Sequence, residues 1–178
     1  GMDVRGYLSM CFGDPWEGAV AVEQVVAVGR RLLDLGVGQL SLGDTIGVAT
    51  AGHVRALVQA FVAAGVPTDR LALHFHDTYG QALTNVHAGL QSGVTTYDAS
   101  AGGLGGCPYA AGASGNVATE DVVYMMNGLG VRTGVVLGAA GLFSFEGLSP
   151  RKVRPKSLDR SFEGIEVSMQ VNADAFPR

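Results

Sequence analysis

Short apolar runs alternate with segments of helical periodicity along most of the chain. Residues 51–64 carry apolar side chains at the i, i+3, i+4, i+7 and i+8 positions of an amphipathic helix, namely Val54, Leu57, Val58, Phe61 and Val62. The same pattern predicts further helices at 20–35, 80–91 and 120–127, with Thr119 as the N-cap of the last one. Strands are predicted at 4–10, 37–42, 71–75, 94–100 and 116–119, and a glycine-rich loop is predicted at 102–115.

The alternation of strand and helix predicts an α/β fold with parallel strands and the helices outside. A TIM barrel and an open doubly wound sheet both fit this order, and both place their chemistry at the carboxyl ends of the strands. Polar side chains lie at or near the predicted strand ends: Asp44, His74, His76, Asp98 and Asn116. A purely structural role hardly explains polar side chains at so many strand ends. Their placement therefore indicates a functional site at that edge of the sheet.

Composition limits the classes of function that the chain can serve. Its 178 residues fit one domain or part of a larger one, and the formal net charge of −4 argues against binding nucleic acid. The sequence shows no targeting segment and no apolar run of membrane-spanning length, so we expect a cytoplasmic protein without a membrane partner. Cys11 and Cys107 lie far apart and form no CxxC motif, which favours a reducing compartment.

Two histidines lie one residue apart at the end of the third predicted strand, within LALHFHDTYGQ. Side chains at i and i+2 of a strand point to the same face, so His74 and His76 converge on one spot. They either bind a metal ion or are hydrogen-bonded core histidines, and the HxH pattern alone does not separate the two. Oxygen-bearing neighbours favour Mg²⁺ or Mn²⁺ over Zn²⁺, and these neighbours are Asp44, Asp77, Asp98 and Asn116. The other two histidines, His53 and His87, are expected on the surface of helices.

The glycine-rich loop contains a cysteine. In GGLGGCPYAAGASGN, the glycines around Cys107 leave the backbone free to bend. A lone cysteine on such a loop can be a general acid, a nucleophile or an inert residue. The loop has neither a GxxxxGKS/T motif nor a strand-GxGxxG-helix arrangement, so phosphate binding there has little support.

Four segments together resemble the hydroxymethylglutaryl-CoA lyase family of metal-dependent TIM barrels: SLGDTIGVATAG, LHFHDTYGQAL, GGLGGCPYAAGASGNVATEDVVYM and GLGVRTGV. GYLSMCFGDPWEG is similar to the family's fourth-strand segment, and the cysteine loop separates this family from related Claisen-type synthases. The resemblance implies that residues 1–137 form the C-terminal part of a TIM barrel, with about five parallel strands and the N-terminal strands missing. Residues 138–178 are expected to form a divergent, poorly ordered tail.

The resemblance also implies a reaction. It is the retro-Claisen cleavage of 3-hydroxy-3-methylglutaryl-CoA, an acyl-CoA thioester, into acetoacetate and acetyl-CoA. His74, His76 and Asn116 match the family's metal ligands. The ion they bind is expected to be Mg²⁺ or Mn²⁺ rather than Zn²⁺, and a divalent cation makes the substrate alkoxide accessible.

The remaining site residues are assigned by the same resemblance. Asp44 matches the acidic residue near the substrate hydroxyl and, with His76, is expected to remove the hydroxyl proton. Cys107 matches the loop cysteine that acts as acid and base beside the enolate, and Glu120 matches a glutamate near the site. Asp98 is expected, like Asp77, to orient the ligands.

One motif of the family is absent from this sequence. The first-strand arginine followed by a metal-binding aspartate has no counterpart, so the chain alone is expected to be weakly active or inactive. Open strand edges predict a homodimer, because unpaired edges otherwise invite aggregation. Two alternatives stay open: another aldolase or acyl-CoA carboligase of the same metallolyase superfamily, and a non-catalytic, self-associating fragment.

Overall fold

The computed structural model describes residues 1–106, 114–135 and 166–170. Its strands are β1 (Arg5–Leu8), β2 (Gln39–Asp44), β3 (Leu71–Phe75), β4 (Thr96–Ser100) and β5 (Glu166–Gln170). Its α-helices are α1 (Val22–Asp34), α2 (Ala51–Ala63), α3 (Ala82–Gln91) and α4 (Thr119–Gly128), and two short 3₁₀ turns lie at Thr68–Arg70 and Ala101–Gly103. None of the helices in these ranges has both the length and the apolar character needed to cross a bilayer.

The strands form one sheet in the sequential order β1-β2-β3-β4-β5. Strands β1 to β4 are parallel, which confirms the parallel order predicted from the alternation. The predicted fifth parallel strand at 116–119 is instead a pair of isolated bridges, one joining His76 to Asn116 and one joining Ser100 to Ala118. Beside β4 lies β5, which is antiparallel and belongs to the predicted tail. The described part of the chain therefore has four parallel strands rather than five.

The two faces of the sheet differ in polarity. Alternate side chains on β2 and β3 are apolar and fully buried in the core shared with the helices: Leu40, Leu42, Leu71, Leu73 and Phe75. Polar side chains at two of the intervening positions, Gln39 and Ser41, form hydrogen bonds with β4 across the sheet. Gln39 Nε2 donates to Thr96 Oγ1 at 3.2 Å, and Ser41 Oγ donates to Asp98 Oδ2 at 2.7 Å. The helices thus cover the apolar face, and Ser41, His74 and Asp98 lie on the polar one.

The helices follow the predicted periodicity, with one error at a helix start. In α2, the predicted apolar stripe is buried except for Val62, which is 49% exposed at the edge of the stripe. In α4, the N-cap is Ala118 and Thr119 is already helical, so the predicted N-cap is wrong. The bridge to Ser100 explains the difference, because it holds Ala118 in an extended conformation and the helix begins directly after it.

Candidate active site

The carboxyl ends of β2, β3 and β4 bring the predicted polar side chains to one edge of the sheet. His74 and Asp98 are direct neighbours in the register between β3 and β4. The ring centroids of His74 and His76 lie 5.3 Å apart. The two imidazoles therefore converge, as their i, i+2 spacing predicts.

His76 is held as a neutral imidazole. It is buried, and its Nδ1 has no hydrogen-bond partner among the described residues. Burial and the nearby His74 lower the pKa of His76 to about 4, although hydrogen bonds with Thr45 and Asn116 act in the opposite direction. A neutral ring nitrogen keeps the lone pair that a metal ion requires. His76 is therefore not a core histidine with both ring nitrogens satisfied by hydrogen bonds.

Asn116 approaches the histidines on the segment that follows the glycine loop. Its backbone forms an isolated antiparallel β-bridge with that of His76, and its side-chain Nδ2 donates to the Leu104 carbonyl at 2.9 Å. The Val117 N–H donates to the Phe75 carbonyl at 3.0 Å and fixes this segment beside the end of β3. The amide nitrogen of Asn116 is only a hydrogen-bond donor, so its Oδ1 is the side-chain atom that can serve as a ligand.

In the part of the chain that the structure describes, the candidate donors here are two imidazoles and one amide oxygen. Two imidazoles and one amide oxygen suit a divalent cation such as Mg²⁺, Mn²⁺ or Zn²⁺. Within the ranges that the structure describes, no group of three or more His, Cys, Asp or Glu side chains could hold a metal ion. The residues present therefore fit a divalent cation as a partial ligand set. They supply no carboxylate, so we expect this set to bind a metal weakly on its own.

Asp98 is the centre of a buried polar cluster on the same face. Its Oδ1 lies 2.9 Å from Arg5 Nη1, and its Oδ2 lies 3.6 Å from His74 Nδ1 and accepts the Ser41 hydroxyl. Burial alone would raise the pKa of Asp98, but the nearby His74, the hydrogen bond from Ser41 and the charge of Arg5 outweigh it and lower the pKa. Asp98 is therefore a carboxylate at neutral pH.

Sequence reasoning missed two members of this cluster, Arg5 and Ser41. Arg5 also lies over the ring of Tyr7, with its guanidinium carbon 5.3 Å from the ring centroid. The available signal was the alternation itself, because Ser41 lies between two buried leucines of β2 and therefore points to the opposite face of the sheet. Which charge they meet depends on the register and curvature of the sheet, which the local pattern does not give.

Two predicted carboxylates accept hydrogen bonds from backbone N–H groups, one in the loop before α2 and one at the start of α3. Asp44 Oδ1 and Oδ2 each accept a backbone N–H at 3.0 Å, from Val48 and Ala49 respectively. Burial raises the pKa of Asp44, and these bonds only partly offset the rise. Asp77 Oδ1 accepts the Ala82 N–H at the start of α3. Both residues therefore shape loops at the site edge, and the proton-transfer role of Asp44 stays a prediction.

Glu120 and Cys107 differ in what the structure shows of them. Glu120 Oε2 accepts the Gly102 N–H at 3.0 Å, so it ties the first turn of α4 to the turn after β4. Cys107 lies outside the described residues, and its role stays a prediction. The other cysteine, Cys11, is buried and donates to the Leu8 carbonyl, and burial raises its pKa to about 12. Cys11 is therefore an unreactive core thiol.

The other two histidines lie away from this edge of the sheet. His53 is exposed in the first turn of α2, as predicted, and its Nδ1 accepts the Thr50 N–H. His87 lies in α3 and is half-buried rather than fully on the surface. Neither histidine approaches the His74–His76 pair in any contact of the described residues.

The two ends of the glycine loop pack backbone against backbone. A side chain at Gly115 would overlap the carbonyl oxygens of Gly103 and Gly105. We expect Gly115→Ala to cost roughly 1–3 kcal/mol, as overpacking typically does. It should also weaken Mn²⁺ binding by displacing the adjacent Asn116. Thermal unfolding and calorimetric Mn²⁺ titration measure both effects.

Gly106→Ala is the matched control for this prediction. A Cβ there meets only ordinary van der Waals contacts, the nearest being the Gly115 Cα at 3.7 Å. This variant should keep its unfolding temperature and Mn²⁺ affinity. Equal behaviour of Gly115→Ala and Gly106→Ala would contradict a tight contact between the loop ends.

Comparison with known proteins gives a consistent result. Residues 5–140 match the HMGL-like family model. A mitochondrial hydroxymethylglutaryl-CoA lyase from Arabidopsis thaliana is 51% identical over 175 residues, covering 97% of this chain and 36% of that protein. The crystal structure of hydroxymethylglutaryl-CoA lyase from Pseudomonas aeruginosa is 55% identical with a TM-score of 0.73, covering 78% of this chain and 46% of that one. The structure of an HMG-CoA lyase from Acinetobacter baumannii in complex with coenzyme A and 3-methylmalate is 40% identical with a TM-score of 0.73. This similarity covers 76% of this chain and 44% of that one.

These similarities settle the fold class. The structural neighbours are TIM barrels, which confirms the prediction of a partial barrel. The chain spans 36% to 46% of the length of the relatives described above. The Arabidopsis alignment also continues past residue 140 and so includes most of the predicted tail.

Proposed function

This chain belongs to the HMGL-like family, and we propose that it carries the metal-binding edge of a hydroxymethylglutaryl-CoA lyase. The proposed reaction cleaves 3-hydroxy-3-methylglutaryl-CoA into acetoacetate and acetyl-CoA. One observation carries the proposal: His74 and His76 converge at the end of β3, with Asn116 bridged to His76. Relatives named as lyases are similar across this whole region.

We propose that His74, His76 and Asn116 hold the divalent cation that membership in this metal-dependent family implies. Mg²⁺ or Mn²⁺ is favoured over Zn²⁺, because Zn²⁺ sites usually use more His or Cys ligands than this edge offers. When bound, the ion lowers the pKa of the substrate hydroxyl. The low pKa of His76 keeps its ring neutral and able to bind a cation throughout the physiological range.

Proton transfer in this proposal rests on Asp44, His76 and Cys107. Asp44, aided by His76, takes the proton from the tertiary hydroxyl, and burial makes its carboxylate a stronger base than an exposed one. As the hydroxyl becomes the ketone of acetoacetate, the carbon–carbon bond breaks and leaves the enolate of acetyl-CoA. Cys107 gives that enolate its proton. Glu120 supports the loop indirectly by holding the Gly102 turn.

An acyl-CoA thioester is the proposed substrate. The similarity to a lyase structure that contains coenzyme A and 3-methylmalate supports this class of ligand. It also weighs against the alternative of a carboligase that acts on 2-oxo acids. A homodimer and a cytoplasmic location stay predictions.

Ligand protection against heating tests this assignment in the chain as it is. In Mn²⁺ and a thiol reductant, 3-hydroxy-3-methylglutaryl-CoA should raise the unfolding temperature. At about 100 times its Kd, a ligand stabilises by roughly 2.7 kcal/mol, which is roughly 5–10 °C for a chain of this size. Pyruvate and other 2-oxo acids should give no shift.

The control is the same titration with His74→Ala, in which the Mn²⁺-dependent part of the shift should disappear. Protection by 2-oxo acids but not by the acyl-CoA thioester would favour the carboligase alternative and contradict the lyase proposal. Protection by neither class in the presence of Mn²⁺ would favour a non-catalytic fragment.

A further inference from the structure

We propose that Asp98 is a positioning residue of this site, which sets the tautomer of His74. In this proposal the Asp98 carboxylate keeps the His74 proton on Nδ1. The lone pair of Nε2 is then left for the cation. The inference rests on the proposed function, because it takes His74 as a metal ligand.

Contacts with residues other than His74 fix the position of the Asp98 carboxylate. Asp98 has a side chain that is 2% exposed, and it is a direct neighbour of His74 in the sheet. Arg5 Nη1 holds Oδ1 at 2.9 Å, and the Ser41 hydroxyl donates to Oδ2 at 2.7 Å. These two contacts come from β1 and β2, so the position of the carboxylate does not depend on His74.

The same carboxylate oxygen that accepts the Ser41 hydroxyl faces the imidazole. Asp98 Oδ2 lies 3.6 Å from His74 Nδ1, which is beyond hydrogen-bond distance, so this buried Nδ1 has no hydrogen-bond partner among the described residues. The charge of the carboxylate still acts on the ring nitrogen at this distance. An ionised carboxylate only accepts hydrogen bonds, and a neutral imidazole has one N–H and one lone pair. The charge therefore favours the proton on Nδ1, and metal-binding histidines are commonly oriented in this way.

A simpler explanation is that Asp98 only braces the sheet. The ion pair joins β1 to β4 across the two strands between them, and a buried pair of this kind can stabilise the curvature of the sheet. A brace predicts a loss of stability in variants and no change in the chemistry of His74. The two explanations therefore differ in what they predict for the ring nitrogens.

The test uses Asp98→Asn, which keeps the shape of the side chain and removes its charge. Thr96→Val is the matched control, because it removes a different cross-strand hydrogen bond on the same face of β4. Histidine-labelled protein gives the tautomer from the ¹⁵N shifts of the His74 ring, and calorimetry gives the Mn²⁺ affinity. Unfolding temperatures show how much stability each variant loses.

We expect wild type and Thr96→Val to show the Nδ1–H tautomer of His74. In Asp98→Asn, the Nε2–H form should become the main one, and Mn²⁺ affinity should fall by roughly 10–100-fold. A lower unfolding temperature with unchanged tautomer and affinity would contradict the proposal and leave only the brace. An Nε2–H tautomer in wild type would overturn it without any variant, even if Asp98→Asn fails to fold.

A different set of results would contradict the proposed function. If wild type binds no Mn²⁺ although His74 carries its proton on Nδ1, the metal site itself is contradicted, and the positioning role is contradicted with it. If wild type binds Mn²⁺ and Asp98→Asn binds it equally well, only the positioning role is contradicted.

Discussion

His74→Ala is expected to lose measurable Mn²⁺ binding. Among the described residues, the candidate donors at the end of β3 are His74, His76 and Asn116, and the nearby carboxylates of Asp98 and Asp44 are engaged by other groups. Loss of an outer partner typically costs about 10–100-fold in metal affinity, so loss of a ligand should cost more than roughly 100-fold. Calorimetric titration of the apo chain with Mn²⁺ measures this directly.

His53→Ala is the control for weak binding by exposed imidazoles. His53 lies in the first turn of α2, where its Nδ1 accepts the Thr50 N–H. This variant should lose a little helix stability and keep its Mn²⁺ affinity. Unchanged Mn²⁺ affinity in His74→Ala, or an equal loss in both variants, would exclude the histidine pair as the binding site.

The second large effect is on turnover. We expect the 178-residue chain to release acetyl-CoA far more slowly than a full-length lyase. The resemblance assigns an aspartate ligand and an arginine to a motif that this sequence lacks. Arg5, which lies on the polar face, does not replace that arginine, because its guanidinium is paired with Asp98. Removing one electrostatic stabiliser costs about 10²–10³ in rate, so losing two should cost roughly 10⁴ or more.

The measurement is kcat/KM for 3-hydroxy-3-methylglutaryl-CoA, with Mg²⁺ or Mn²⁺ under reducing conditions. The Pseudomonas aeruginosa relative, assayed in parallel, sets the scale. Turnover within tenfold of that relative would show that the three neutral ligands suffice, or that association between chains supplies what they lack.

Much of the fold followed from local patterns. The bounds of β3 matched the prediction, and α2 matched to within one residue, because an apolar run and an i, i+3, i+4 stripe each depend on neighbouring residues alone. The position of the site followed from a general property of parallel α/β sheets, whose strand ends meet at one edge. His74 and His76 converged because of the two-residue period of a strand.

The remaining features depend on contacts between distant segments. β5 pairs with β4 across more than sixty intervening residues, and a local sequence pattern does not predict pairing at this distance. The contact of Arg5 with Asp98 crosses two strands and requires a curved sheet. Thr119 has the side chain of an N-cap, but the bridge from Ser100 to Ala118 sets the helix start one residue earlier.

Acetyl-CoA release by a fusion protein is the most direct test of whether His74, His76 and Asn116 form part of a lyase active site. The N-terminal part of the Pseudomonas aeruginosa relative would be fused ahead of this chain, so that both parts of the family barrel are present. Circular dichroism and Mn²⁺ titration would first show that the fusion is folded and binds metal. We predict metal-dependent cleavage of 3-hydroxy-3-methylglutaryl-CoA, reduced at least roughly 100-fold by His74→Ala or Cys107→Ala. A folded, Mn²⁺-binding fusion that releases no acetyl-CoA, or releases it equally well with His74→Ala, would contradict the assignment.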